Sequence, residues 1–311
     1  MKLSSIITNK EFVFVKFPII FPLIYGLILI SFPTFETFLI FFTILLLAEP
    51  HFGATWPFFI NECNYDHIKK NKVSLVYTPI IIIVLSLLGF IFFNKIFYLI
   101  FFAVNMYHVT RQSFGISKLY SIEKKDIKFQ ETLIYIFNIL FFLIGYFRFF
   151  LNIDFSAFSF FLNAIIILSL IISSIVYLFK FGLNQNLFTF ITGCIIFYPV
   201  CFVENPVHVI LMGVTMHFSQ YLFLTNKIVT KRENVIKKEH INLRYSKYFI
   251  FIIVIYGTLM AALSMFGNSE TTYLKSLIII PIIGQMLHFY LDSQLWKFSV
   301  KHNRENVLNF L

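Results

Sequence analysis

Long apolar runs alternate with short polar joints along almost the whole chain. A hydrocarbon layer about 30 Å thick needs about 20 helical residues to cross it. Runs of that order recur at 14–31, 36–60, 74–93, 96–117, 131–151, 157–179, 187–203, 206–226, 248–266 and 273–296. The pattern predicts an all-α polytopic transmembrane bundle of about ten spans, forming a single integral-membrane helical domain over 1–311. No Gly/Ser linker, internal repeat or soluble domain interrupts it.

The joints are of two kinds. Those at 61–73, 118–130 and 227–247 are polar and basic, whereas those near 32–35, 94–95, 152–156, 204–205 and 267–272 carry almost no Lys or Arg. With the N-terminus inside, ten spans leave only Lys95, Arg148 and Lys275 near the outer surface, and 22 of the 25 basic residues inside. Cytoplasmic loops carry such an excess in membrane proteins, so both termini are expected on the cytoplasmic side of the cell's inner (plasma) membrane.

Composition narrows the class further. Hydrophobic residues make up 59% of the chain and charged residues 13%, too few charges to cover a soluble domain of this length. A net charge of +10 would suit nucleic acid, but the basic residues sit in the joints and tails. They report topology, and nucleic-acid binding is not expected. The 44 Phe residues read as lipid-facing bulk shaped by codon bias. Cys194 and Cys201 are about 10 Å apart by helix rise, too far to bridge, and Cys63 lies in a basic joint, so no disulfide framework is expected. The first apolar run lacks an A-x-A-like cleavage site and reads as a retained span.

Against this apolar background, ionisable residues inside the spans are candidates for function, because hydrocarbon makes them costly. His67, His240 and His302 fall in basic joints or the tail and read as solvated. His51, His108, His208, His217 and His288 fall inside spans. Four of the five share a depth. His51, His108 and His217 each lie ten residues before the polar turn at Asn61, Lys118 and Lys227, and His288 lies nine before Lys297. All four are on even-numbered spans, which puts each roughly 15 Å above the cytoplasmic interface. Four parallel helices presenting imidazole at one level can converge on one centre. His208 and His217 are nine residues apart, about 900° of helical rotation, so they face opposite ways and His208 is left out.

Helical periodicity supplies partners. Asn105, His108 and Gln112 share one stripe, and Gln285, His288 and Asp292 repeat its spacing; Thr55 follows His51 by four residues, and Gln220 and Tyr221 follow His217. A metal-bound imidazole needs an acceptor for its other nitrogen, and Asp292, Gln112, Thr55 and Gln285 are the candidates. Glu49 and Asp292 are also candidate proton carriers. Neutral imidazoles suit iron, copper, zinc and nickel. Four of them with few carboxylates leave positions of an octahedral Fe(2+) open, so iron is expected, with zinc and copper as alternatives.

Three short motifs then carry a resemblance: Pro50-His51-Phe52-Gly53, His217 after a Pro-containing outer turn, and His288 with Asp292 near the C-terminus. Together with the hydropathy they resemble the Brp/Blh-type membrane carotene oxygenases. The resemblance implies an all-helical membrane fold and cleavage of β-carotene to retinal by histidine-bound iron and dioxygen. The later motif here holds the single His217, the last His-to-Asp spacing is one residue shorter, and the segment from His108 to Gly115 has no counterpart. The HxxxH and HxxHH clusters of membrane desaturases are missing from the sequence. The expected function is therefore an intramembrane metal oxygenase acting, with dioxygen, on a long lipophilic molecule such as a carotenoid, isoprenoid or acyl chain. A transporter using Glu49, Asp292 and the histidines, with helix breaks at Pro50 and Pro281, and a b-type haem protein are the alternatives.

Overall fold

The computed structural model describes residues 9–121, 125–236, 245–267 and 275–311. After a π-helical turn at Phe12–Lys16, twelve mainly α-helical segments follow one another among the described residues, with short 3₁₀ turns between some of them, and no strand forms. They are α1 (Ile20–Ser31), α2 (Pro33–Phe59), α3 (Glu62–Lys70), α4 (Val73–Phe92), α5 (Asn94–Tyr120) and α6 (Ile127–Phe150). After these come α7 (Ser159–Phe181), α8 (Gln185–Ile195), α9 (Pro206–Ile236), α10 (Tyr245–Gly267), α11 (Ile279–Leu295) and α12 (Lys301–Asn306).

Seven of these, α2, α4, α6, α7, α9, α10 and α11, are long and apolar enough to cross a membrane. The other three runs take different forms. The run at 14–31 yields the 12-residue α1. The run at 187–203 yields the 11-residue α8, followed by a tight 3₁₀ turn at Tyr198–Cys201. The run at 96–117 lies in the 27-residue α5, about 40 Å long by helix rise, where Asn105, His108, Arg111 and Gln112 dilute the hydropathy.

The described chain divides into two compact units, each assembled from two stretches: Met1–Ile40 with Met106–Gln220, and Phe41–Asn105 with Tyr221–Leu311. Helices α2, α5 and α9 pass through the division without a break.

In the first unit, α6 and α8 pack around Ile134, Phe137, Phe141 and Phe190, all buried. Tyr177 of α7 stacks on Phe190 with ring centroids 5.5 Å apart. Local sequence explains the turn between α7 and α8. Gly182 takes a φ of +74° and ends α7, a conformation open to glycine without a Cβ penalty. Asn184 then caps α8 by accepting from the backbone N–H groups of Asn186 and Leu187. Buried Asp126, just before α6, ties these elements together. It accepts from Ser121 Oγ at 2.5 Å, Gln130 Nε2 at 2.5 Å, Tyr177 OH at 2.6 Å and Asn186 Nδ2 at 3.3 Å. Gly213 of α9 lies against the Ile196 carbonyl so closely that a Cβ would sit 1.9 Å from its oxygen.

In the second unit, α10 packs along α2. A Cβ on Gly53 would lie 2.7 Å from the Tyr256 ring, and one on Gly257 would lie 2.9 Å from the Pro50 ring. Pro50 donates no backbone hydrogen bond and its ring crowds the preceding turn. The chain responds with a π-helical stretch at Ile44–Ala48 just before it. The same device recurs in α4, where a π stretch at Val73–Tyr77 precedes Pro79. Such widened turns concentrate at functional sites, and the one in α2 ends three residues before His51.

The polar ends of this unit are capped by side chains. Asn61 caps α3 by accepting from Cys63 N at 3.1 Å, and Asn64 Nδ2 donates to the carbonyls of Phe58 and Phe59 at the end of α2, both at 3.0 Å. Arg232 of α9 is buried, donates to the Asn306 carbonyl and lies over the Phe58 ring at 4.8 Å.

Burial separates the apolar helices into two roles. In α4 and α7 only 11% of the apolar window is buried, whereas in α9 the share is 72%. Exposed Ile, Leu and Phe on α4 and α7 are the surface that hydrocarbon would cover. Helix α9 is the most buried of the seven.

Candidate metal centre

Each of the four level histidines is carried by a different helix: His51 by α2, His108 by α5, His217 by α9 and His288 by α11. All four are buried, with relative exposures of 0, 6, 0 and 0%. The four histidines at one depth in the sequence are thus four imidazoles that the fold removes from its surface.

In the second unit, the His51 and His288 rings lie 4.4 Å apart, centroid to centroid, at 67°. The Tyr221 ring is packed edge-on against both, 4.7 Å from His51 and 5.3 Å from His288. Phe52 is 5.1 Å from His288. Polar contacts concentrate on one side of His288. Thr55 Oγ1 lies 2.6 Å from its Nδ1 and 2.9 Å from the Tyr221 hydroxyl, and that hydroxyl is hydrogen-bonded in turn to Asp292. In the first unit, the rings of His108 and His217 lie 5.4 Å apart at 87°.

One ligand nitrogen from each of His51, His108, His217 and His288 lies within 4.8 Å of all the others. This buried four-histidine group can hold a metal ion. The donor set is all nitrogen, which suits iron, copper, zinc and nickel.

The other expected residues are distributed unevenly. Thr55 and Asp292 join the network at His288, as described. Gln285 donates to Glu49 Oε1 at 3.2 Å. Glu49 itself is 1% exposed, and its second oxygen has no hydrogen-bond partner among the described residues. Gln112 is partly buried, and its Nε2 likewise lacks a hydrogen-bond partner among the described residues. Gln220 serves the backbone instead, donating to Val15 O at 2.7 Å.

His208 stands outside the group. Its Nδ1 is 2.7 Å from the Tyr25 hydroxyl and its Nε2 is 3.6 Å from Glu36. His67 and His302, read from sequence as solvated, are stacked on each other with centroids 4.2 Å apart and rings within 3° of parallel. His240 lies outside the described residues. Tyr221, read from sequence as a partner following His217 on its own helix, also packs its ring against His51 and His288, contacts that helical spacing did not report. No protein-family model, curated protein or solved structure matches this chain.

Proposed function

We propose that this chain is an intramembrane, histidine-ligated metal oxygenase acting on a long lipophilic substrate such as a carotenoid, isoprenoid or acyl chain. The observation that carries the reading is the convergence of four buried imidazoles, one from each of four helices. Independent packing histidines have no reason to meet. The sequence motifs around His51, His217 and His288 support a carotene-oxygenase-like chemistry, and iron is the ion that chemistry uses. In this reading the chain spans the membrane about ten times with both termini cytoplasmic. Helix α5 crosses with His108, Thr110, Ser113 and Ser117 buried, the arrangement polar groups require in hydrocarbon.

The residues divide the work as follows. His51, His108, His217 and His288 hold the ion and set its height within the membrane. Bound there, iron supplies the site at which dioxygen is activated. Phe52 and Phe289, packed at 5.1 and 5.7 Å from the His288 ring, give the surroundings an apolar character suited to a hydrocarbon substrate. Thr55, Tyr221 and Asp292 orient the His288 ring.

The geometry disfavours a haem held between either pair. A single iron held between two imidazoles would set their centroids about 6 Å apart. Here the pairs stand at 4.4 and 5.4 Å, edge to face.

The oxygenase reading is tested with cells expressing the chain and supplied with carotenoid or another long lipophile. Product is expected in air and not under nitrogen. Equal product in both, or proton-coupled flux in metal-free liposomes, would favour transport through Glu49 and Asp292 instead.

A further inference from the structure

Four polar groups of the second unit are joined in series: His288 Nδ1 to Thr55 Oγ1 at 2.6 Å, Thr55 Oγ1 to Tyr221 OH at 2.9 Å, and Tyr221 OH to Asp292. His288, Thr55, Tyr221 and Asp292 are all buried. With Asp292 ionised, proton counting decides the direction of the series. A carboxylate only accepts, and each hydroxyl has one proton to give. Tyr221 therefore donates to Asp292, which leaves its oxygen to accept from Thr55. Thr55 has then spent its own proton and must accept from His288 Nδ1. The imidazole is left with hydrogen on Nδ1 and a lone pair on Nε2.

We infer that Asp292, acting through Tyr221 and Thr55, is a positioning residue that fixes His288 in the Nδ1–H tautomer and offers Nε2 to the metal. The carboxylate thus reaches the imidazole through two hydroxyls, and Thr55 is the contact made by the ring itself. Metal-bound histidines characteristically donate their other nitrogen to an oxygen acceptor, which fixes the ring and raises its basicity. A two-hydroxyl extension places the acceptor's negative charge further from the ion while keeping the tautomer locked. Tyr221 also has its ring against His51 and His288, so one side chain sets both the tautomer and the packing of two ligands. The use of Nε2 as ligand rests on the proposed metal centre; the tautomer does not.

The two parts are separated by working first without metal. Protein carrying ¹⁵N-labelled histidine, stripped with chelator in detergent micelles, gives the tautomer of each ring from long-range ¹⁵N–¹H correlations, with His288→Gln assigning the signal. His288 should show hydrogen on Nδ1 in the native chain and in Thr55→Ser. In Thr55→Val and Tyr221→Phe the Nε2–H form should grow in, because the acceptor is lost in the first and Thr55 is freed to donate in the second. Reloading with Fe(2+) should show affinity roughly 10–100-fold weaker in Thr55→Val and near native in Thr55→Ser. A native His288 with hydrogen on Nε2, or a tautomer indifferent to Thr55→Val, would overturn the inference. The expected tautomer pattern in a protein that takes up no metal would uphold the chain and remove the metal reading.

Discussion

Two buried carboxylates in this protein meet the same difficulty in opposite ways. Asp126, in the first unit, gathers hydrogen bonds from Ser121, Gln130, Tyr177 and Asn186 onto its two oxygens. Its charge is dispersed among neutral donors drawn from α6, α7 and α8, so it acts as a knot between elements. Asp292, in the second unit, stands at the end of a series of hydroxyls that finishes on an imidazole. Its charge is directed at one ring. Burying a carboxylate is costly in either place, but the first arrangement returns that cost as rigidity and the second as control of a ligand.

The largest expected effect comes from breaking the knot. Asp126→Ala leaves several buried donors without an acceptor, at about 1–3 kcal/mol each. It should lower thermal stability by at least about 3 kcal/mol, measured by circular dichroism in detergent. Metal bound per folded chain should not change. Asp292→Asn should do the reverse. The amide still accepts a hydrogen bond, so the stability of the metal-free protein should change little. Metal affinity should fall roughly 10–100-fold, or about 1.4–2.7 kcal/mol, by competition with a chelator. Similar losses of stability in both variants would erase the distinction.

Acid sharpens the comparison further. Burial pushes the Asp126 carboxyl up, but hydrogen bonds from Ser121, Tyr177 and Asn186 outweigh it and hold the group below its ordinary range. A depressed folded value means stability that is present above the unfolded value of about 3.9 and is lost as pH falls through the folded one. Asp126→Asn should therefore flatten the stability profile below about pH 4.

The smallest effect is expected where α12 meets α3. Burial pushes His67 and His302 below the usual imidazole range, and for His302 the neighbouring His67 and Arg232 add to it. The unfolded segment then binds more protons below about pH 6.5, so docking weakens as pH falls through that range. Hydrogen exchange at 301–306 should rise between about pH 7 and 5 in the native chain and much less in His67→Gln.

Much of this was legible in the sequence because the signals were periodic. The apolar runs marked the helices, and a common distance from four polar turns picked out His51, His108, His217 and His288 as one group. What stayed hidden depends on contacts between helices. The runs at 14–31 and 187–203 became short helices, because hydropathy does not register the break at Phe17, just before Pro18, or the turn around Pro199. Tyr221 reads in sequence as a partner of His217, and only α9 packing beside α2 and α11 within the second unit makes it a neighbour of His51 and His288. The stacking of His67 on His302 joins residues 235 positions apart, which no local pattern reports.

Four histidines that bind one ion make the purified protein a stoichiometric metal carrier, which metal analysis reads without an intermediate step. Protein prepared without chelator and measured by plasma mass spectrometry should hold about one transition-metal ion per chain. Ala at any of His51, His108, His217 or His288 should abolish it, while Ala at His208 should leave it in place. A native protein free of metal, or a quadruple variant that retains the native content, would contradict the account.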